Sequence, residues 1–321
     1  MNNLLLKELK YTANNYNPIN VILKKGKNIY LTDINNKKYI DFLSGYSAVN
    51  QGHCHPRIIE VVNNQIKNLT LTSRAFHNDK LGLMCEYICN NFNYDKFLPM
   101  NSGVEAGETA IKLARKWGYE RKNINKNSAV NLFCKNNFWG RTISAISSSN
   151  DYKSYNNFGP FCNNMKLVDY NNIESIEKKF KNNKNIVSLM LEPIQGEAGI
   201  IVPDDGYLKK VKKLCNKYNI LFIADEIQTG LGRTGKFFAC DYDNVKPDIL
   251  ILGKSLSGGF YPISGVLASN NIMSVLKPGQ HGSTYGGNPL ASSICVEALK
   301  IIKDEDLVNN FDTNVKKLIS Y

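Results

Sequence analysis

The sequence predicts an α/β fold in which a mostly parallel central sheet is flanked by helices. Of its 321 residues 43% are hydrophobic, which is enough to bury a large core. Short apolar runs typical of buried strands recur along the chain, at 129–134, 186–191, 220–224, 249–252 and 263–268. Helical patterns lie between several of these runs, and strands that alternate with helices favour a parallel sheet covered on both faces.

Two helices and three loops are predicted between the strands. Apolar residues recur at helical spacing from Val104 to Trp117 and again from Tyr207 to Tyr218. Stretches rich in Asn and Lys predict surface loops at 122–127, 150–157 and 181–185. The sequence contains no internal repeat and no linker rich in Pro or Gly, so we expect one large α/β domain to dominate.

The formal charge of +12 invites a nucleic-acid interpretation. Of the 40 basic residues, however, 34 are Lys and 6 are Arg, and the lysines are scattered among many asparagines. No basic run alternates with aromatic residues. We therefore expect no nucleic-acid partner.

The spacing of the cysteines, the length of the apolar runs and the composition of the N-terminus bear on cellular location and on membrane association. The 8 cysteines include no C-x-x-C pair, and no apolar run approaches the ~20 residues that a membrane helix needs. Residues 1–16 contain no Arg, unlike an Arg-rich transit peptide. We therefore expect no metal site, no membrane partner and a reducing, cytoplasmic location.

Asp225 directly follows the apolar run 220–224. In open α/β sheets ligands bind at the carboxyl ends of the strands, so such a residue is a candidate site residue. Asp225 could be a helix cap or turn former, or, if buried and ionised, it could pair with a cation such as a protonated pyridine nitrogen. The glycines of 230–235 match G-x-G-x-x-G, but no helical pattern follows them, which argues against a dinucleotide site.

Lys254 follows the next apolar run, 249–252, and begins a loop of small residues. A lysine that emerges from a buried strand is poorly solvated, and desolvation lowers its pKa toward the neutral amine that Schiff-base chemistry needs. An ordinary surface lysine is the alternative. Together, Asp225 and Lys254 supply the two groups that a pyridoxal phosphate site requires.

A phosphate group needs free backbone N–H groups at a helix start. Ser102 can supply a hydroxyl there and Gly103 permits close approach, although a Ser N-cap followed by Gly is common. The polar, glycine-rich segment 281–289 is a second donor loop. Phe138 could stack on a pyridine ring, or could simply pack against its neighbours.

Six segments together carry a resemblance to a known family. They are 42–53, 101–109, 192–199, 224–235, 253–259 and 282–289. In this order, from about Tyr16 to about Asp304, the sequence resembles the ornithine aminotransferases, which belong to the class III branch of the fold type I pyridoxal phosphate enzymes. His53 and His55, which flank Cys54, fall in a segment of that family without a metal role.

The resemblance implies a domain organisation and an assembly. It implies an N-terminal segment at 1–56, a large pyridoxal phosphate-binding domain at 57–306 and the start of a truncated C-terminal small domain at 307–321. It also implies a homodimer with shared active sites.

The resemblance assigns the cofactor contacts residue by residue. It implies that Lys254 forms an imine with pyridoxal 5′-phosphate and then moves a proton, and that Asp225 pairs with the pyridinium nitrogen. Gln228 would hydrogen-bond the phenolic oxygen and Phe138 would stack on the ring. The phosphate contacts that it implies are Ser102, Gly103 and Val104, with Ser283 and Thr284 reaching from the partner subunit.

The same resemblance implies L-ornithine and 2-oxoglutarate as substrates. Tyr16 and Arg141 resemble the residues that bind the α-amino acid end of ornithine, and Tyr46 matches a tyrosine that favours ornithine over γ-aminobutyrate and N-acetylornithine. Glu197 resembles a gate glutamate whose partner is an arginine near the C-terminus. No arginine follows Arg233 in the 321 residues, so we expect the return step with 2-oxoglutarate to be the weaker one.

Two alternatives stay open. One is another class III ω-aminotransferase, such as one acting on N-acetylornithine, against which Tyr46 counts. The other is a catalytically impaired, shortened protein that binds pyridoxal phosphate, which the missing arginine favours. The rates of the two half-reactions distinguish them.

Overall fold

The computed structural model of the chain describes residues 3–320. Its strands are β1 (Leu23–Lys27), β2 (Tyr30–Asp33), β3 (Lys38–Ile40), β4 (Lys96–Met100), β5 (Val130–Cys134), β6 (Met165–Val168), β7 (Ile186–Leu191), β8 (Leu221–Asp225), β9 (Ile249–Leu252) and β10 (Ser264–Ala268). Its helices are α1 (Asn3–Tyr11), α2 (Ser44–Ser47), α3 (Pro56–Gln65), α4 (Leu81–Phe92), α5 (Gly103–Glu120), α6 (Ile143–Ile146), α7 (Tyr152–Tyr155), α8 (Ile173–Asn182), α9 (Tyr207–Lys217), α10 (Asn270–Met273), α11 (Pro289–Asp304) and α12 (Asn310–Ile319).

Strands β4 to β10 form one sheet in the spatial order β4-β10-β9-β8-β7-β5-β6. The pairs β9–β8, β8–β7, β7–β5 and β5–β6 are parallel, as the alternation of strands and helices predicts. Strand β10 runs antiparallel to both of its neighbours, β9 and β4. The prediction of a mostly parallel sheet flanked by helices is therefore confirmed, with one reversed strand.

The five apolar runs of the sequence are strands in the structure. Strands β7 and β9 have the predicted bounds, and β5, β8 and β10 begin one residue later than predicted. The two predicted helices are α5 and α9. The strands form from short runs that are buried at every position, and the helices form where buried positions repeat with the helical period.

Alternate residues of each strand pack on opposite sides of the sheet. Phe222 belongs to the hydrophobic cluster that contains Val211 of α9 on one side. Ile223 and Ile251 belong to the cluster that contains Leu113 of α5 on the other. Because helices cover both faces, the central strands are buried at every position and not only at alternate ones.

Some elements differ from the sequence-based expectation. The antiparallel sheet β1-β2-β3 was not predicted, because its residues are largely polar or exposed. The edge strand β6 was not predicted either, because Lys166 interrupts its four residues and leaves no continuous apolar run. The expected loop 150–157 contains the short helix α7, whose start is capped by Asp151. The expected loop 181–185 begins inside α8, which continues to Asn182.

Residues 3–320 show the following with respect to membrane helices, disulfides and metal ligands. No helix in this range is long and apolar enough to cross a membrane. All eight cysteines are free thiols. The described residues contain no group of three His, Cys, Asp or Glu side chains arranged to hold a metal ion.

Candidate active site

Three ionisable side chains meet at the carboxyl ends of three neighbouring strands. The last paired residues of β7 and β8 are Leu191 and Ala224, so Glu192 and Asp225 lie side by side one position further on. Lys254 follows the end of β9, which is the other neighbour of β8. All three side chains line one cleft of about 200 Å³.

Asp225 is the most buried group of this cleft, with 4% of its surface exposed. Its Oδ1 accepts a hydrogen bond of 3.0 Å from the backbone N–H of Ile227, so Asp225 is also the turn former that the sequence allowed. Burial raises the pKa of Asp225 to about 7, although that hydrogen bond and the charge of Lys254 act in the opposite direction. A cationic ligand at this carboxyl group would offset its burial.

Lys254 is half-buried and has a positive φ of 44°, an uncommon conformation for a residue with a Cβ. Burial lowers the pKa of its ammonium group, while the carboxylates of Asp225, Glu197 and Glu192 oppose this shift. The geometry therefore differs from that of an ordinary surface lysine. The neutral amine form of Lys254 is therefore easier to reach by deprotonation than that of a fully hydrated lysine.

Glu192 is a site residue that sequence reasoning did not single out. It is 6% exposed, and its two carboxylate oxygens accept hydrogen bonds from the backbone N–H groups of Phe138 at 2.9 Å and Gly196 at 3.4 Å. Burial and the neighbouring charge of Asp225 raise its pKa to about 8. The signal in the sequence was the same as for Asp225, a carboxylate directly after a predominantly apolar run.

Glu226 fixes the loop that follows Asp225, a role that no pattern in the sequence indicates. Its fully buried carboxyl group accepts hydrogen bonds from the hydroxyl of Thr229 and from the backbone N–H groups of Ala239 and Cys240, the latter two at 3.1 and 2.8 Å. Burial raises its pKa. The loop is therefore tied to residues 239–240.

The start of α5 presents free backbone donors. Ser102 is the N-cap, as the common interpretation of the sequence allowed, and Glu105 completes a capping box by accepting from the N–H groups of Asn101 at 2.9 Å and Ser102 at 2.7 Å. Within residues 3–320 no acceptor pairs with the N–H groups of Gly103 and Val104. These two donors, with the partial positive charge of the helix start, suit a phosphate group.

Gly103 allows the cleft wall to approach α5 closely. A Cβ atom at this position would lie 2.9 Å from Cδ1 of Ile227. Ser102 lines a second cleft of about 310 Å³, which shares Gly103 and Lys254 with the first. The helix start and the lysine thus face the same space from two sides.

Four further predicted residues cluster around this cleft. Phe138 and Gln228 line it, and the guanidinium of Arg141 lies 5.3 Å from the centroid of the Phe138 ring. Arg141 also donates to the hydroxyl of Ser154 at 3.1 Å. Glu197 is exposed and accepts a long hydrogen bond of 3.4 Å from the Gln228 carboxamide.

The remaining predicted residues lie outside the residues that line the cleft. Tyr16 is 75% exposed and Tyr46 is 53% exposed. Tyr46 belongs to α2, whose residues Ser44–Ser47 all have positive φ, which is a strained backbone for side chains other than glycine. Ser283 contacts Asn101 of its own chain, and Thr284 is exposed.

A larger cavity of about 590 Å³ lies at the opposite edge of the sheet. Its lining includes Tyr94 and Pro247, which precede β4 and β9, together with Cys240. Lys254, Glu192 and Asp225 are not among the residues that line this cavity. We therefore assign the chemistry to the smaller cleft.

The donor set of the smaller cleft fits pyridoxal phosphate. A buried carboxyl group can hold a protonated ring nitrogen, a lysine of lowered pKa can bind an aldehyde, and two free N–H groups at a helix start can hold a phosphate. Each requirement is met by a different strand end or helix start around the same space.

Comparisons with known proteins agree with this geometry. Residues 11–321 match the family described as aminotransferase class III. The chain is 56% identical over 304 residues to the mitochondrial ornithine aminotransferase of Drosophila melanogaster, an alignment that covers 95% of this chain and 70% of the fly protein.

Two solved structures are similar to the fold. The ornithine aminotransferase of Toxoplasma gondii, described with partial occupancy of PLP at its active site, superposes with a TM-score of 0.95 at 51% identity, covering 96% of this chain and 72% of that one. The acetylornithine aminotransferase of Elizabethkingia anophelis superposes with a TM-score of 0.87 at 47% identity, covering 99% and 78%.

Proposed function

Because this chain belongs to the class III aminotransferases, we propose that it transfers the δ-amino group of L-ornithine to 2-oxoglutarate with pyridoxal 5′-phosphate as its cofactor. The products are glutamate 5-semialdehyde and glutamate. The observation that carries the proposal is the cleft in which Glu192, Asp225 and Lys254 meet beside the free N–H groups of α5.

Pyridoxal phosphate supplies, when bound, an aldehyde that reacts with amines and a pyridine ring that withdraws electrons from the reacting carbon. The Asp225 carboxylate would hold the proton on the ring nitrogen, because a nearby positive charge offsets the cost of burying the carboxylate. The N–H groups of Gly103 and Val104 would hold the phosphate, and Phe138, which lines the cleft, would contact the ring. Gln228, which lines the same cleft, would donate to the phenolic oxygen.

Lys254 is the group that binds the cofactor and then moves the proton. Burial lowers the pKa of its ammonium group, so a neutral Nζ is available to take a proton from the substrate carbon and return it to the cofactor side. The carboxylates of Asp225, Glu197 and Glu192 limit this lowering. Nζ therefore releases its proton more readily than the amine of an exposed lysine.

The α-amino acid end of ornithine is bound by Arg141 and Tyr16 in this proposal. The support is the position of Arg141, whose guanidinium lies beside the ring of Phe138 at the cleft. Binding this end away from Lys254 leaves the δ-amine to react. Tyr46 selects ornithine; its strained turn is tied down through a hydrogen bond of 3.0 Å from Arg233 to Ser44. Glu197, beside Gln228, acts as a gate.

The protein acts as a homodimer with shared sites in this proposal, and Ser283 and Thr284 complete the phosphate site of the partner subunit. Large apolar side chains of the N-terminal segment are exposed in the single chain, among them Leu9 at 61%, Ile19 at 86% and Phe42 at 78%. Sedimentation equilibrium tests this: a monomer that binds the cofactor tightly contradicts it. The expected cytoplasmic location stays a prediction, since the similar fly protein is named mitochondrial.

N-acetylornithine is the second candidate substrate, favoured by the similarity to the Elizabethkingia anophelis structure. Its acetyl group removes the positive charge of the α-amine and adds bulk at the end that Tyr46 is proposed to face. We therefore expect ornithine to be the better substrate. A preference for N-acetylornithine would show that Tyr46 does not exclude this substrate, and it would favour the second candidate.

Isotope transfer tests the proposal directly. The protein loaded with pyridoxal phosphate is given 2-oxoglutarate and ornithine labelled with nitrogen-15 at either the δ- or the α-position. Labelled glutamate is expected from δ-labelled ornithine only. Label from the α-position contradicts the proposed orientation, and no transfer by the loaded protein contradicts the proposed function. In the same assay Lys254→Ala removes the proposed reactive amine. Lys210→Ala, at an exposed position of α9, is its matched control.

A further inference from the structure

The loop at 281–284 is anchored to α5 and to the residue before its N-cap through the side chains of Ser283 and His281. The Asn101 carboxamide nitrogen lies 2.8 Å from Oγ of Ser283, directly before the helix N-cap. Nε2 of His281 lies 2.7 Å from Oγ1 of Thr109, in the second turn of the helix. The loop is therefore held against the same helix whose start offers free N–H donors.

The hydrogen bonds around His281 fix its protonation. The Thr109 hydroxyl donates its proton to the carbonyl of Glu105 at 2.7 Å, so it accepts from Nε2–H of His281. The ammonium of Lys112 donates to Nδ1 of His281 at 2.9 Å. Burial and the charge of Lys112 lower the pKa of His281, in agreement with a neutral ring. This anchor is independent of Asn101.

The Ser283 hydroxyl can offer a further ligand only a hydrogen-bond donor. Its oxygen accepts from the Asn101 carboxamide at 2.8 Å and from the backbone N–H of Gly286 at 3.0 Å. A hydroxyl oxygen has two lone pairs and one proton, so both acceptor positions are used and the proton remains. Ser283 can therefore only donate, which suits an anionic oxygen and disfavours a donor ligand.

The Asn101 carboxamide enforces this state. Its two N–H groups point to Ser283 at 2.8 Å and to Oε1 of Glu105 at 3.4 Å. Without Asn101, one lone pair of the Ser283 oxygen becomes free and the hydroxyl can rotate. Ser283 would then lose its fixed donor direction.

We propose that Asn101 is a positioning residue of the phosphate site, because its carboxamide fixes the Ser283 hydroxyl as a hydrogen-bond donor to the phosphate of the cofactor. The inference rests on the proposed function. In the proposed homodimer it also links the two active sites, since Asn101 adjoins the N-cap that frames one site and reaches Ser283, which serves the other.

A double-mutant cycle with two ligands tests the inference. Asn101→Ala, Ser283→Ala and the double variant are prepared free of cofactor and titrated with pyridoxal 5′-phosphate and with pyridoxal, which lacks the phosphate. Asn101→Ala is expected to weaken binding of pyridoxal 5′-phosphate by about tenfold, the size of one hydrogen bond, and to leave pyridoxal binding unchanged. In the Ser283→Ala background the same change is expected to have little further effect.

Three outcomes overturn the inference. Equal losses for both ligands would show general damage, and a full loss in the Ser283→Ala background would show that Asn101 does not act through Ser283. In both cases normal binding by the unmodified protein leaves the proposed function standing. An unmodified protein that binds the two ligands equally would overturn the proposed phosphate site together with this inference. Asn68→Ala, at an exposed turn, is the matched control.

Discussion

Glu192 and Asp225 lie side by side at the carboxyl ends of two neighbouring parallel strands, and both carboxyl groups are buried. Burial raises the pKa of each, and the charge of Asp225 raises that of Glu192 further. Lys254 is the cation that lines the same cleft. The protein therefore holds a carboxylate pair whose ionisation costs stability until a second positive charge binds.

Asp225→Asn is expected to stabilise the cofactor-free protein at alkaline pH. The pKa of Asp225 is raised from 3.8 to about 7 in the folded state, so its contribution to stability is full below pH 4 and is lost as the pH rises to 7. The gain of the variant over the natural protein should grow by on the order of 2 kcal/mol between pH 5 and pH 8. Urea unfolding at each pH measures it.

The same variant should bind pyridoxal phosphate more weakly, because the carboxamide cannot hold a protonated ring nitrogen as a carboxylate does. Asp205→Asn, at an exposed site, is the control and should change neither property. A gain in stability that is independent of pH would contradict the assignment to ionisation.

Glu192→Ala should destabilise the protein more than Glu192→Gln. Alanine leaves the part-buried N–H groups of Phe138 and Gly196 without an acceptor, at a cost of up to ~1–3 kcal/mol for each, the value for a fully buried donor. Glutamine keeps one oxygen as an acceptor. Urea unfolding of both variants at pH 6 measures the difference, with the exposed Glu60→Gln as control. Equal costs would show that the hydrogen bonds are not the cause.

Borohydride reduction should attach pyridoxal phosphate to Lys254. Its lowered pKa and its position in the cleft favour reaction with an aldehyde over that of the exposed lysines. Peptide mapping by mass spectrometry identifies the labelled residue. Lys254→Ala should remove the label and Lys210→Ala should retain it; a label distributed over several lysines would argue against a built site.

Gly103→Ala should weaken cofactor binding by about tenfold or more, since the new Cβ meets Ile227 at 2.9 Å and one of the two must move. The obstructing atom is Cδ1, the end of a flexible side chain. Adding Ile227→Val removes this atom and should restore part of the affinity. Absorbance titration with pyridoxal phosphate compares the single and double variants. If Ile227→Val restores none of the affinity, the loss arises from the helix start itself and not from the contact with Ile227.

Part of the site was predictable because it lies where apolar strands end. The change from apolar to polar residues marks Asp225 and Lys254 in the sequence, and the same signal marks Glu192 after 186–191. The direction of β10 was not predictable, since an apolar run has the same pattern whichever way the strand runs.

The contacts around Ser283 were not predictable for a different reason. Asn101 and Ser283 are 182 residues apart, and Thr109 and His281 are 172 apart. No periodicity within a helix or strand relates positions so far apart. The exposed N-terminal sheet was missed as well, because its residues, such as those of β1, have no buried face in the single chain.

The reversal of β10 has a consequence for the order of folding. Because β9 and β10 are antiparallel, with Leu252 opposite Gly265, the chain that carries Lys254 leaves and returns at the same edge of the sheet. A short connection closes at low entropic cost, whereas the parallel pairing of β7 with β8 requires a crossover through α9. The carbonyl of Ile251 accepts from Glu226 beside β8, so the neighbouring pair Leu250 and Leu267 carries the hydrogen bonds between β9 and β10. In pulsed hydrogen exchange during refolding, the amides of Leu250 and Leu267 should be protected before those of β7. The reactive lysine would then occupy its native turn before the two carboxylates are assembled beside it.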